Sequence, residues 1–279
     1  MKLGSHISAA APFSEAINRA KSSGCECMQI FVNSPTRWNP APISEDEIAK
    51  FVQLNQVAKI DPIIIHGIYL INLASSNPFF YEASIRSLID DMQKAKKLGA
   101  LGVNFHIGST RGKKMSEVME QVVSGVKKIL DGSPEGPCLI FENSAGAGDI
   151  IGDKFEELAE IIEEIKSDRI KVTLDTAHMF ESGYDIRTKE GLERTLDEFD
   201  KTVGLDRLIC LHLNDSQTAL ASNRDRHADI GGGEIGTEAF ERIVNHPKLK
   251  DVPGIIETPN LKGRSETDNL VILKKMRQK

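Results

Sequence analysis

Short apolar runs alternate with longer amphipathic stretches along the whole of this 279-residue chain. Eight of the runs have the length and composition of buried β-strands, and most are followed by a stretch whose apolar residues recur at helical spacing. The runs are residues 2–7, 27–32, 63–66, 102–106, 138–142, 170–175, 208–212 and 254–257. Repeated units of this kind indicate a parallel sheet covered by helices.

Several of the predicted helices carry terminal signals. Ser44 and Glu47 fit a capping box at the start of one helix. Asn77 and Pro78 predict the start of another helix, which Gly99 would end. Thr237 is the expected N-cap of a later helix.

The spacing of the strand ends favours a closed barrel. From His66 the next five strand ends follow at intervals of 40, 36, 33, 37 and 45 residues, about the length of one strand, one helix and two loops. An open doubly wound sheet would rarely bring all its strand ends to one site, because ligands gather at its switch point. We therefore predict a single (β/α)8 TIM barrel over residues 1–279, with its site at the C-terminal mouth of the strands.

Composition adds few constraints. The chain has 40 % hydrophobic and 27 % charged residues, which is an ordinary globular balance. Its net charge of −6 argues against a protein that coats nucleic acid generally, although local DNA binding stays open. The four cysteines do not form a disulfide framework in a chain of this size. We expect a cytoplasmic protein, because no signal peptide or membrane-spanning run is visible. We also expect a monomer, because nothing in the sequence demands an oligomer.

Histidines and carboxylates recur at or just after the ends of the predicted strands. One such histidine alone would more often pack at a strand end, and Asp225 with His227 alone would indicate a solvated loop. The recurrence favours metal ligands, and this mixture of ligands suits zinc, manganese or iron. The nine candidates are too many for one ion and enough for three: His66, His106, Glu142, Asp175, His178, His212, Asp225, His227 and Glu257.

The motifs that contain these residues resemble the endonuclease IV family of apurinic/apyrimidinic (AP) endonucleases. The resemblance covers nearly the whole chain, and all nine candidates fall within it in order. The matching stretches are GSHISAA at 4–10, IIHGIYLINLA at 64–74, NFHIGS at 104–109, FEN at 141–143, LDTAH at 174–178, HLNDS at 212–216, DRHADIG at 225–231 and ETP at 257–259.

The resemblance implies a zinc-dependent base-excision-repair enzyme that cleaves double-stranded DNA on the 5′ side of an abasic site. It implies three zinc ions per chain, with manganese as an alternative at some positions. His66, His106 and Glu142 would hold the first ion, and Glu142 would bridge to a second ion that Asp175, His212 and Glu257 complete. His178, Asp225 and His227 would hold the third. Glu142 and Glu257 would be the catalytic residues.

The resemblance also implies that loops after the strands contact DNA. The expected contact residues are Arg37, Trp38, Tyr69, Leu70 and Arg226. The family commonly has Arg two residues before the Trp, whereas this chain has Thr36 there. Either Arg37 takes over that role or the base stack is filled differently.

Further basic residues and one glycine motif lie in the same predicted loops. Arg111, Lys113, Lys114 and Arg224 are candidate phosphate contacts, although solvated loops often carry such charges. Residues 231–236 fit G-x-G-x-x-G, but no strand directly precedes them. A tight loop that leads into a helix, near a DNA phosphate, is the better interpretation of this motif.

Two other functions remain as alternatives. A sugar isomerase or epimerase on a related barrel would also keep metal ligands at its strand ends, but for one or two ions. A non-catalytic metal- or DNA-binding protein has little need for an open, bridged cluster. Asp225 and His227, as ligands of a third ion, distinguish the nuclease from the isomerase.

Overall fold

A computed structural model describes residues 1–40, 42–259 and 261–278, and in it eight parallel strands close into a barrel. The predicted TIM-barrel fold is therefore confirmed. The barrel strands are β1 (Leu3–His6), β2 (Cys27–Phe31), β3 (Ile63–His66), β4 (Gly102–Phe105), β5 (Cys138–Glu142), β6 (Ile170–Asp175), β7 (Leu208–His212) and β10 (Gly254–Ile256). Two short strands, β8 (Asp215–Ser216) and β9 (His227–Ala228), pair as a separate antiparallel ribbon.

Strand β1 closes the barrel because it pairs with β2 on one side and β10 on the other. Gly4 is aligned with Cys27 in β2 and with Ile255 in β10. A Cβ atom at Gly4 would lie 1.8 Å from the backbone oxygen of Cys27, so a side chain is excluded at this close approach.

Helices surround the barrel and bury one apolar stripe each. In the helix that follows β4, Val118, Val122, Val126 and Ile129 are buried at the spacing that the sequence predicts. The helices are α1 (Glu15–Ser22), α2 (Glu45–Ala58), α3 (Pro78–Leu98), α4 (Met115–Asp131), α5 (Phe155–Ile165), α6 (Thr176–Ser182), α7 (Lys189–Thr202), α8 (Thr237–Val244) and α9 (Glu266–Met276).

The predicted helix ends are only partly correct. Asn77 caps α3 through Phe79 N, and Gly99 ends that helix with a left-handed backbone. Ser44 caps α2, whereas the Glu47 carboxylate accepts from the distant Ser14 N–H and leaves the capping box half made. The N-cap prediction for Thr237 is wrong, because Thr237 is the first residue of α8 and Gly236 precedes it as the cap.

The barrel interior places the site directly above an apolar layer. Cys27, Ile64, Ile140, Cys210 and Ile255 form one buried cluster contributed by five strands. Because side chains alternate along a strand, the residue two positions later on each of these strands faces the same interior at a higher level. Those residues are Gln29, His66, Glu142, His212 and Glu257.

None of the helices in the described parts of the chain combines the length and the hydropathy that a membrane span requires.

Candidate metal centre

The structure brings all nine candidate ligands to the C-terminal mouth of the barrel. Eight of them fall into three groups whose donor atoms lie within 4.8 Å of one another. The first group is His66, His106 and Glu142; the second is Glu142, Asp175, His212 and Glu257; the third is Asp175, His178 and His227. The ninth candidate, Asp225, contacts the third group.

Glu142 faces the first and second groups with different oxygen atoms. Its Oε2 lies 3.3 Å from His66 Nε2 and 3.7 Å from His106 Nε2. Its Oε1 lies 2.9 Å from His212 Nδ1. The carboxylate is fully buried at the end of β5, so its position is fixed between the two groups. This is the arrangement that a bridging ligand needs.

Asp175 connects the second group with the third. Its Oδ1 accepts from the backbone N–H groups of Ala177 and His178 and thereby caps helix α6. Its Oδ2 lies 3.8 Å from His212 Nδ1 and 3.6 Å from His227 Nε2. Helix α6 begins directly after Asp175 and turns His178 toward the third group.

The third group is completed from a loop. His178 Nε2 and His227 Nε2 lie 3.4 Å apart. Asp225 places Oδ2 3.4 Å from His178 Nε2 and Oδ1 3.5 Å from His227 Nε2. Asp225 and His227 face the same way, as expected for alternate residues of an extended segment. The Asp225 side chain is 47 % exposed, whereas the His178 side chain is 2 % exposed.

Contacts outside the groups fix the orientation of the imidazoles. His66 Nδ1 lies 2.7 Å from the Gly67 carbonyl oxygen, and His178 Nδ1 lies 3.0 Å from that of Asn143. His212 Nε2 lies 3.0 Å from Gln29 Oε1. Because an oxygen acceptor requires a proton on the nearby nitrogen, the other nitrogen of each ring is left free to bind a cation.

Side-chain amides hold the carboxylates in the same way. Asn104 Nδ2 donates to Glu142 Oε2 at 2.6 Å, and Asn214 Nδ2 donates to Asp175 Oδ2 at 2.7 Å. Gln29 Nε2 donates to Glu257 Oε1 at 2.5 Å. One oxygen of each carboxylate is thus oriented by a neutral donor, as is common around metal ligands.

The electrostatics keep Glu142 ionised. Burial opposes ionisation of Glu142, but the imidazoles of His212 and His106 hold its pKa well below the usual range. Burial likewise opposes protonation of His212, yet Glu142 and Glu257 raise its pKa to about 9. The same competition, dominated by Asp175 and Asp225, raises the pKa of His178 well above its ordinary value. Positive charge is therefore favoured beside Glu142 and at the third group.

The donor set fits divalent cations. Several carboxylates and imidazoles converge in a largely buried site, an arrangement that is unfavourable unless positive charge balances it. His106 Nδ1 is buried without a hydrogen-bond partner among the described residues. Mixed nitrogen and oxygen donors are those that zinc and manganese accept.

The groups open into a cavity of about 390 Å³ that is lined by His6, Tyr69, His106, His227 and Glu257, among others. This volume lies near the lower end of the roughly 300–1,000 Å³ range of small-molecule sites. The space therefore suits a small group rather than a whole macromolecule.

Sequence reasoning missed several polar residues that support the centre. His6 Nδ1 lies 3.1 Å from Glu257 Oε1, and Gln29 connects Glu257 with His212. His6 ends β1, so the strand-end pattern that identified the other histidines includes it as well. Gln29 and Asn104 are polar residues inside buried strands, which itself signals a specific partner.

The glycine run at 231–236 has an internal explanation. The Asp215 carboxylate accepts from the backbone N–H groups of Gly233 at 3.0 Å, Ile235 at 2.9 Å and Gly236 at 3.3 Å. A Cβ at Gly233 would lie 2.2 Å from the Ser216 carbonyl oxygen. The loop therefore leads into α8 as predicted, and its N–H groups bind the Asp215 carboxylate of the chain itself; a nearby DNA phosphate stays a prediction.

The residues expected to contact DNA lie around the mouth, and most of them are exposed. Tyr69 is 66 % exposed and Leu70 is 36 % exposed, while Arg37 and Arg226 also face solvent. Trp38 is half-buried and stacks on Phe80 with ring centroids 6.2 Å apart. The loops that carry Trp38 and Tyr69 are joined by a hydrogen bond from Tyr69 N to Pro35 O, at 2.9 Å.

The expected contact residues and the loops that carry them form the rim of the barrel mouth. Four further basic residues belong to this rim. Arg111, Lys113, Lys114 and Arg224 are all exposed. The loop after β2 is fixed at its base, where Asn33 Nδ2 donates to Asp91 Oδ1 of α3 at 2.7 Å. Its outer residues Thr36 and Arg37 are exposed, so the structure leaves both of them accessible to a ligand.

The chain is similar to known proteins over nearly its whole length. The family model described as a xylose isomerase-like TIM barrel matches residues 17–276. A protein of Halothermothrix orenii named probable endonuclease 4 is 41 % identical over 98 % of this chain and 99 % of its own length. The apurinic-apyrimidinic endonuclease of Caenorhabditis elegans is 38 % identical over 95 % of this chain and 67 % of its own length.

Solved structures are also similar to this chain, and an endonuclease IV is more similar to it than an epimerase-like protein is. Endonuclease IV of Thermus thermophilus superposes with a TM-score of 0.86 at 36 % identity, covering 99 % of this chain and 97 % of that one. A D-tagatose 3-epimerase-like protein superposes with a TM-score of 0.72 at 20 % identity, covering 99 % and 95 %. The second likeness reflects the shared barrel fold alone.

Proposed function

We propose that this chain, which belongs to the endonuclease IV family, hydrolyses the phosphodiester on the 5′ side of an abasic site in double-stranded DNA. The products are a 3′-hydroxyl and a 5′-deoxyribose phosphate. The observation that carries the proposal is the set of three contiguous ligand groups at the barrel mouth, joined through Glu142 and Asp175.

We assign one zinc ion to each group, with manganese as an alternative at some positions. The first ion would be held by His66, His106 and Glu142, and the second by Glu142, Asp175, His212 and Glu257. His178, Asp225 and His227 would hold the third. Bound divalent ions supply Lewis acidity, which acidifies water and offsets the negative charge that builds on the phosphate.

Glu142 organises the centre because it is the one carboxylate shared by the first two groups. Its burial excludes water from its own oxygens, and Asn104 prevents it from rotating. The distance between the first two groups is therefore set by a rigid strand end. Such preorganisation lowers the reorganisation needed when charge develops on the substrate.

Glu257 is the best-placed carboxylate to accept a proton from water. Gln29 and His6 occupy its Oε1, and its Oε2 lies 3.4 Å from His212 Nδ1. Its side chain is 19 % exposed and lines the cavity, unlike the buried Glu142. A water in the cavity can thus reach Glu257 while it approaches the phosphorus atom.

The substrate has to expose its abasic nucleotide to reach this depth. The cavity of about 390 Å³ has room for a sugar-phosphate unit, and an abasic nucleotide has no base that must be accommodated with it. We assign Tyr69 and Leu70, with Trp38 and Arg37, to the surface that distorts the duplex and opens the lesion. Arg226 would contact a phosphate. Because the substrate is DNA, we place the enzyme inside the cell. We also propose that it acts as a monomer.

The alternative of a sugar epimerase rests on the shared barrel. The third group argues against it, since Asp225 and His227 add ligands beyond the one or two ions that such enzymes need. A binding protein without activity is disfavoured because the groups open into a cavity of substrate size.

A duplex that carries one tetrahydrofuran analogue of an abasic site tests the proposal, because this analogue cannot undergo β-elimination. We expect metal-loaded protein to nick it directly 5′ to the analogue and leave a 3′-end that a DNA polymerase extends. An intact duplex, together with epimerisation of a ketose by the same preparation, would establish the alternative function.

A further inference from the structure

A buried carboxylate outside the ligand set, Glu181, lies behind the third group. It belongs to α6, three residues after His178, and is 0 % exposed. Its Oε1 accepts from Ser216 Oγ at 2.6 Å and from the backbone N–H of Arg226 at 3.1 Å. Neither the predicted ligands nor the mechanism above uses this residue.

The contacts of Glu181 converge on one segment, the 217–226 loop, which connects β8 to β9. Ser216 precedes this loop, and Arg226 ends it between the candidate ligands Asp225 and His227. The backbone adds two further ties to α6: Asn223 N donates to Glu181 O at 2.9 Å, and Ala221 N donates to Phe180 O at 3.1 Å. The C-terminal end of α6 thus contacts the 217–226 loop at several positions along its length.

The third group needs such an anchor more than the other two. The ligands of the first and second groups lie at or directly after the ends of barrel strands. Asp225 instead lies in the largely exposed 217–226 loop, and His227 follows that loop at the start of the two-residue strand β9. Ala221 and Asn223 adopt a left-handed backbone, with φ of 58° and 51°, which non-glycine residues rarely adopt without support. An unanchored loop would lose conformational entropy on binding an ion.

We propose that Glu181 is a positioning residue that fixes the 217–226 loop against α6, so that Asp225 and His227 face His178 before an ion binds. The inference rests on the proposed metal assignment. It predicts that the affinity of the third group for its ion depends on Glu181, whereas the affinities of the first and second groups do not. His178 and Glu181 share one helix, so the ligand and the anchor have a fixed relation.

Two substitutions separate this role from general stability. Glu181→Ala removes the three hydrogen bonds that Oε1 accepts, from Ser216 Oγ, Thr218 Oγ1 and Arg226 N, while Glu181→Gln keeps an Oε1 that can accept them. Glu193→Ala is the matched control, because Glu193 also accepts a side-chain hydrogen bond, from His246 at 3.1 Å, but lies on α7 away from the mouth. Zinc per chain is counted after competition with a chromophoric chelator, and kcat and KM are measured by nicking.

We expect Glu181→Ala to retain one zinc fewer than the wild type and to bind that ion about 10–100-fold more weakly. Glu181→Gln and Glu193→Ala should match the wild type. Excess zinc should restore much of the kcat of Glu181→Ala, because only the affinity is impaired, and KM for DNA should change little.

Wild-type zinc content in Glu181→Ala, or the loss of all ions together with a lowered Tm, would overturn the inference. Zinc counting does not depend on DNA cleavage. If the wild type fails to nick DNA while Glu181→Ala still loses a single ion, the proposed reaction is wrong and the positioning role stands.

Discussion

The metal groups and the rim around them lie at the same end of the barrel, but they are built differently. Glu142, Asp175 and His212 are fully buried at strand ends, and each has at least one contact that fixes its orientation. Tyr69 and Leu70 on the rim are 66 % and 36 % exposed.

This difference follows from what each region has to bind. Small cations require donor atoms at fixed distances, so preorganised ligands with supporting hydrogen bonds are favoured. A DNA duplex is large and deformable, and most of its contacts position the backbone without reading sequence. Substitutions in the metal core should therefore abolish chemistry, whereas substitutions on the rim should weaken binding.

Glu142→Ala should have the largest effect, because it removes one carboxylate from two groups. We expect nicking of an abasic duplex to fall by more than the roughly 10²–10³-fold cost of losing one electrostatic contact in an active site. Single-turnover nicking and zinc content measure this. Glu238→Ala, on the surface of α8, is the control. Near-normal nicking by Glu142→Ala would remove this residue from the centre.

Gln29→Ala should produce the next largest effect, although Gln29 is not a candidate ligand. It removes the contact at the outer nitrogen of His212, so this ring loses its fixed orientation, and it leaves Glu257 Oε1 with the His6 contact alone. We expect zinc affinity or kcat to fall about 10–100-fold, as measured by chelator competition and nicking. The exposed Gln53→Ala is the matched control, and equal behaviour of the two variants would show that Gln29 has no supporting role.

Tyr69→Ala should weaken DNA binding while leaving the metal content unchanged. Loss of one aromatic stacking surface typically costs about 1–3 kcal/mol, so we expect roughly a tenfold rise in Kd. Trp38 is the one tryptophan of the chain and lies in the adjacent loop, so its fluorescence reports binding directly. Val57→Ala, an exposed apolar residue near the end of α2, is the control. A loss of zinc in Tyr69→Ala would show that the metal groups depend on the rim, contrary to this expectation.

Neutralising Lys113 and Lys114 together should have the smallest effect on catalysis. If both contact phosphates, the slope of log Kd against log salt should decrease by about 0.9 for each charge. Titrations of the same duplex at several salt concentrations measure the slope. An unchanged slope would place these exposed lysines outside the DNA footprint.

The sequence predicts the core of the molecule far better than its rim. The barrel and the strand-end ligands follow from a repeat that is visible in the hydrophobic pattern, because parallel strands bring equivalent positions to one mouth. His6 obeys the same rule, although the set of nine candidates leaves it out. Gln29 and Asn104 could have been found as polar residues inside buried strands.

Other features depend on contacts between distant segments, which no local pattern encodes. The link between Glu181 and the 217–226 loop joins residues 45 positions apart, from Glu181 to Arg226. The glycine run at 231–236 wraps the Asp215 carboxylate, although its spacing resembles a nucleotide-binding motif. Arg37 and Thr36 are exposed, so their role depends on the bound DNA.

Zinc content measured alongside nicking of an abasic duplex, while a chelator removes the ions stepwise, shows directly whether a three-ion centre carries out the cleavage. We expect three zinc ions per chain, nicking that disappears as ions are lost, and recovery when zinc is restored. One ion per chain without any nicking, or full nicking by metal-free protein, would contradict it.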